Sequence, residues 1–112
     1  MNRGDIHWYL GPPTATEKAK KKRPIIIVSN NAANNHPNYP YISVVPITSN
    51  IDEIFSIEID LGDLMTKPSK AQPQSIFSCR KIDLSTKPIA HLPWHLVFEL
   101  DKKLKIYLEV LE

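Results

Sequence analysis

At 112 residues the chain is long enough for one hydrophobic core and too short for two, so a single domain spanning 1–112 is expected. Fourteen Lys and Arg against twelve Asp and Glu leave a formal net charge of +2, which excludes a molecule-wide polycation; any nucleic-acid contact must come from local clustering. The single cysteine, Cys79, excludes an internal disulfide and a thiolate metal cage, no segment approaches membrane-spanning length, and Met1-Asn2-Arg3-Gly4-Asp5 has no apolar signal core, so the cytoplasm is the expected location.

Asp5 to Leu10 alternates as a strand, with Ile6, Trp8 and Leu10 on one face and Asp5, His7 and Tyr9 on the other. Gly11-Pro12-Pro13 ends it. A long polar loop over 11–22 carries Glu17-Lys18-Ala19-Lys20-Lys21-Lys22 and runs into Arg23-Pro24. The strand expected over 24–30 contains Ile25-Ile26-Ile27-Val28 and is apolar on both faces, as a central strand requires. An irregular connection rich in Asn and Pro occupies 30–40. Further strands are expected at 41–48, 54–60 and 73–79, with turns at Leu61-Gly62-Asp63 and Pro68-Ser69-Lys70. Within 54–60, Ile54, Ser56 and Glu58 alternate with Phe55, Ile57 and Ile59, which places Glu58 on a wet face.

From Leu96 the period changes. Leu96, Val97, Leu100, Leu104, Tyr107, Leu108 and Leu111 recur three or four apart, a helix stripe, and Pro93 suits the first turn. Glu99 with Lys103 and Asp101 with Lys105 are expected to pair on its outer side. Short strands, long loops and one packing helix predict a mainly β fold, a small, strongly curved antiparallel barrel with a C-terminal helix.

The chemistry concentrates at two strand ends. Arg23 puts a permanent positive charge at a loop-to-strand junction, and the strand through Ile42-Ser43-Val44-Val45-Pro46-Ile47 delivers hydroxyls at Thr48-Ser49-Asn50. If those strands pair, guanidinium and hydroxyl meet and can grip a phosphodiester. Were that phosphodiester RNA, its cleavage by its own 2'-hydroxyl would need in-line geometry and neutralisation of the extra charge on the phosphorane. Arg23 can do the second, a contribution of ~3–4 kcal/mol by analogy with oxyanion-hole donors. It stays protonated far above neutrality, so it is a poor general base and is expected to stabilise charge and to be able to donate a proton to the leaving group, whereas Thr48 would orient the phosphate or the attacking hydroxyl. Water, Glu17 and His36 stand as candidate acceptors of the 2'-proton.

Blander readings apply elsewhere. His91 and His95, four apart, lack a third ligand, so no metal and no cofactor is expected. His7 and His36 read as surface residues, Trp8, Trp94 and Phe98 as core or dimer-interface aromatics, and Cys79 as a small buried hydrophobe.

Arg3-Gly4-Asp5-Ile6, Glu17, Arg23-Pro24, Val45-Pro46-Ile47-Thr48-Ser49, Ile57-Glu58-Ile59, Arg80-Lys81-Ile82-Asp83 and the terminal helix occur in an order and spacing that resembles the MazF/PemK toxin family over essentially the whole chain. The resemblance implies an SH3-like barrel, a homodimer, and a metal-independent, sequence-specific endoribonuclease acting on single-stranded RNA and neutralised by a cognate antitoxin. It carries the catalytic pair over to Arg23 and Thr48. The expected RNA-contacting set is Glu17, Lys18, Lys20, Lys21, Lys22, Ser49, Asn50, Ser78 and Arg80. Glu17 stands one residue further from Arg23 than is common. Phe77-Ser78 occupies the place where many members have Glu-Gln or Asp-Gln, so the carboxylate acceptor of the PemK branch is absent, as is that branch's loop histidine. Two alternatives accompany this reading: a weakened barrel that only binds RNA or antitoxin, and a CcdB-like toxin acting through protein contacts.

Overall fold

The computed structural model describes residues 1–11 and 22–110. Among them seven strands form one curled antiparallel sheet: β1 Asp5–Tyr9, β2 Arg23–Ile27, β3 Tyr41–Thr48, β4 Ile59–Gly62, β5 Ser69–Ala71, β6 Phe77–Arg80 and β7 Ala90–His91. The order is β4-β5-β3-β2-β1-β7, with β6 also paired to β3. β3 is the hub because its eight residues serve several partners. Val44 to Pro46 pair with β2, Tyr41 to Val44 with β6, and Ile47 and Thr48 with β5.

Residues directly opposite in an antiparallel ladder share a face, so the register sorts the core into two layers. Ile6, Ile26 and Val45 fall in line on one face and join Ile47, Ile59, Leu61 and Ala71 beneath the C-terminal helix. Ile25, Ile27, Ile42, Val44, Cys79 and Leu84 make the other layer, flanked by Tyr9 and Phe77. The expectation that β2 is apolar on both faces holds. Burial of each of its isoleucines contributes about 1.5–3 kcal/mol, and Cys79 is buried as a small apolar residue.

Helix α2 (Trp94–Leu108) follows Pro93, whose carbonyl accepts from the Leu96 and Val97 amides, and ends at Glu109 in the left-handed region. Earlier in the chain, α1 is the single turn Asn31–Asn34, capped by the Asn30 side chain accepting from the Ala33 amide; it replaces part of the irregular connection expected over 30–40. Leu100 and Leu104 of the α2 stripe are buried and Leu96 and Val97 pack at the edge, whereas Tyr107 and Leu108 are exposed, and Leu111 lies outside the described residues. Glu99 pairs with Lys103 at 3.6 Å as expected. Asp101 does not pair with Lys105: its Oδ1 accepts from Arg3 Nη2 at 2.6 Å. Arg3 is already held by donation from Nε to the Val28 carbonyl, and such a pre-organised fork wins over a flexible exposed ammonium.

Several local readings are corrected. The strand expected at 54–60 is found at Ile59–Gly62, because Glu58 turns inward and its backbone amide closes a turn onto the Phe55 carbonyl. Glu58 is therefore buried rather than wet. Leu61 and Gly62 belong to β4, which is irregular between Asp60 and Gly62, and Ser69 and Lys70 belong to β5 rather than a turn. The strand expected at 73–79 begins as a 3-10 turn, Pro73–Ser75, since Pro73 has no amide to give a ladder; β6 starts at Phe77. His7, expected at the surface, is 1% exposed, covered where the Ser85 carbonyl meets its Nδ1 at 2.8 Å. Trp94 and Phe98 are not core residues: they lie on the outer side of α2, 81% and 62% exposed.

Candidate active-site groove

Arg23 opens β2. The residue before a proline is driven to extended backbone, and Pro24, paired with Trp8, extends the ladder so that Arg23 faces Tyr9 of β1. On the other edge of β2, Ile25 lies opposite Pro46; carrying that register outward along both strands puts Thr48 opposite Arg23. Thr48 in turn faces Lys70 of β5, and Lys70 faces Asp60 of β4. One row thus runs Tyr9, Arg23, Thr48, Lys70 across the sheet on a single face. A second row runs His7, Ile25, Pro46 and Gln72, the last donating its backbone N–H to the Pro46 carbonyl at 3.0 Å.

Between and above these rows is a groove of about 560 Å³ lined by Tyr9, Arg23, Ile25, Pro46, Gln72, Ser75 and Phe77. Ile25 and Pro46 give it an apolar lining. Tyr9 and Phe77 meet edge to face, 5.5 Å between ring centres at 75°, and supply an aromatic wall. Arg23 is exposed at the groove's edge, and no ion pair to it occurs among the described residues. The Thr48 Oγ1 accepts from the Asn50 amide at 3.1 Å, which closes the bend after β3 and leaves the hydroxyl proton free to donate. Ser49 and Asn50 are exposed in that bend, and Lys22 is exposed beside Arg23.

Other members of the expected set lie elsewhere. Ser78 and Arg80 sit opposite Ser43 and Tyr41, so they occupy the reverse face of the β3–β6 ladder from Phe77 and Cys79. There the Ser78 and Ser43 hydroxyls hydrogen-bond at 3.1 Å. His36 lines a separate depression with Ala32, Ala33, Asn38 and Tyr39, away from Arg23. Glu17, Lys18, Lys20 and Lys21 lie outside the described residues. His91 bonds to the Asp5 carboxylate, and no cluster of His, Cys, Asp or Glu suited to a metal ion occurs among the described residues.

Sequence reasoning missed the polar cluster beneath the row. Lys70 and Glu58, 6% and 5% exposed, form an ion pair of 2.8 Å, and the ammonium also donates to the Glu53 carbonyl at 2.7 Å. The carboxylate further accepts from the Phe55 amide at 2.9 Å, from Gln74 Nε2 at 2.7 Å and from Gln72 Nε2 at 3.3 Å. Burial alone would push the Glu58 carboxyl up, but Lys70, the Phe55 amide and the two glutamines outweigh it and hold it at about 2. The signal in the sequence was the alternation Lys70, Gln72, Gln74, three polar residues at strand spacing, which the turn assigned at 68–70 obscured.

Three comparisons bear on this arrangement. A sequence model of the family described as PemK-like, MazF-like toxin of type II toxin-antitoxin system matches residues 2–108. Endoribonuclease MazF9 of Mycobacterium tuberculosis is 31% identical over 116 aligned positions, covering 98% of this chain and 98% of that protein. The fold is shared with MazF in a MazE–MazF complex from Deinococcus radiodurans, at a TM-score of 0.82 and 19% identity, over 99% of this chain and 97% of that one. It is also shared with an endoribonuclease in complex with its cognate antitoxin from a mycobacterial species, at a TM-score of 0.75 and 17% identity, over 100% and 96% of the two chains. With a full-length relative of this similarity and a family match across nearly every residue, the chain belongs to the PemK-like, MazF-like toxins of type II toxin-antitoxin systems.

Proposed function

We propose that the protein is an endoribonuclease that cleaves single-stranded RNA by attack of the 2'-hydroxyl on the adjacent phosphate, without a metal ion. The observation that carries this reading is the register of β2 against β3, Ile25 opposite Pro46, which supports Arg23 and Thr48 sharing a face when carried outward, together with the groove with an aromatic wall that Arg23 lines. The named relative, an endoribonuclease, supports it.

In this mechanism the Arg23 guanidinium donates to the non-bridging oxygens as charge grows on the phosphorane, and the Thr48 hydroxyl donates to the phosphate and holds it in line. Lys70 is not the charge-stabilising group, because its ammonium is spent on Glu58 and the Glu53 carbonyl. Glu58 is a poor base, since a carboxyl held near 2 has little affinity for a proton at neutral pH. The 2'-proton passes to water as the 2'-oxygen bonds to phosphorus, the P–O5' bond breaks, and water returns a proton to the departing 5'-oxygen, so the products are a 2',3'-cyclic phosphate and a 5'-hydroxyl end. The Tyr9–Phe77 wall offers bases an apolar surface, as single-stranded RNA requires. A homodimer and a cognate antitoxin that blocks the groove complete the proposal; relatives of the same fold occur with an antitoxin bound.

The test is incubation of the pure protein with a long RNA in excess EDTA, followed by mapping and chemical typing of the new ends. Discrete cuts with cyclic phosphate termini are the expected result. No cleavage, or cleavage only when a divalent ion is restored, would overturn the proposal.

A further inference from the structure

Glu58 is ionised and buried, so toward its neighbours it only accepts hydrogen bonds. Gln72 and Gln74 both turn Nε2 toward its Oε2, at 3.3 and 2.7 Å. An amide that gives its nitrogen to a carboxylate must point its oxygen the other way, because the two atoms diverge from one planar carbon. Gln72 is held at its other end as well, by the backbone bond to Pro46, and it lines the groove beside Arg23, Ile25 and Pro46. A carboxylate outside the groove thereby sets which atom of Gln72 is turned away from it.

We propose that Gln72 reads a base next to the scissile phosphate, its Oε1 acting as a fixed acceptor that selects the amino group at C6 of adenine or C4 of cytosine. This rests on the endoribonuclease reading. At that same corner of the ring uracil presents O4 and guanine O6, and two acceptors repel; guanine's own amino group, at C2, stands at the opposite corner of its pairing edge. Gln72 cannot adapt by rotating its amide, since that would set its oxygen against the Glu58 carboxylate. Glu58 is accordingly a positioning residue for specificity, and the charge held on it by Lys70 is what keeps the choice one-sided. The aromatic wall of Tyr9 and Phe77 gives the ring a surface to lie on while its edge is read.

The experiment uses a single-stranded RNA library randomised over a central window, cleaved in EDTA, with the cut ends sequenced. The wild type is expected to favour adenine or cytosine over uracil and guanine by about tenfold at one position beside the cut. Gln72→Met keeps the length and removes the amide; preference at that position should fall to within about twofold while the other positions keep theirs. Glu58→Gln lets the Gln72 amide rotate, and uracil and guanine should then be accepted there. If Glu58→Gln fails to fold around an unpaired Lys70, the Gln72→Met profile alone decides. An unchanged profile in Gln72→Met, with Arg23→Ala inactive, overturns this inference and leaves the endoribonuclease reading standing. A wild type that cuts nothing overturns both.

Discussion

Thr48 and Lys70 sit directly opposite one another across β3 and β5, so a half-buried threonine is paired in the ladder with a lysine that is almost fully buried. The ammonium is neutralised from below by Glu58. Arg23, on the other flank of Thr48, is exposed. Two cations therefore flank the same threonine in different settings: Lys70 is buried and paired with Glu58, and Arg23 is exposed at the edge of the groove.

This division predicts how the variants separate. Arg23→Ala and Thr48→Ala should each lower the cleavage rate by about a hundredfold to a thousandfold, the range for losing one donor to developing charge. Both should melt close to the wild type, since Arg23 is exposed and Thr48 only partly buried. Arg23→Lys should fail to restore the rate because an ammonium lacks the planar fork. Single-turnover cleavage in EDTA beside a thermal melt checks this, and near-wild-type cleavage by either alanine variant would remove the residue from the mechanism.

Lys70→Ala should do the opposite to the fold. Removing one partner of a buried pair leaves the other charge uncompensated, at about 3–5 kcal/mol. The urea midpoint should drop accordingly, and a shift no larger than that of a typical surface substitution would mean that the pair is not buried in solution.

Acid should find the same pair. The folded-state value of Glu58 is about 2 against an ordinary 4.5, so its contribution to stability is fully present above the ordinary value and is lost as pH falls from there toward 2. Urea midpoints measured from pH 6 down to pH 2 should decline over that window. Where the variant folds, Glu58→Gln should flatten the decline, and an equally steep fall in it would assign the acid sensitivity to other groups.

Cys79 should be inert at neutral pH. Burial, and secondarily the Asp83 charge, push its thiol up to about 11, so the nucleophilic thiolate is scarcely populated. Mass spectrometry after iodoacetamide at pH 8 should find the native protein unmodified and the urea-unfolded protein alkylated. Rapid labelling of the folded chain would show that the β6 layer opens.

Much of this molecule was legible from local pattern. Ile25-Ile26-Ile27 announced a strand buried on both faces because strand alternation left no polar side, and the spacing of Leu96, Val97, Leu100 and Leu104 announced the helix because its buried stripe follows the helical period. The ordered motifs around Arg23-Pro24 and Val45-Pro46-Ile47-Thr48 were equally readable, since a strand's end positions are set by its own residues. Glu58 was not. Alternation with Phe55, Ile57 and Ile59 made it look solvent-facing, and its real environment is assembled by Lys70, Gln72 and Gln74, which lie 12, 14 and 16 residues further along the chain. The same holds for Asp101, whose sequence neighbour Lys105 lost it to Arg3, 98 residues away. Burial of a charge or of His7 depends on which segments close over it, and that closure is a property of the folded sheet: a local window records a side chain's own polarity but not the donors that will meet it.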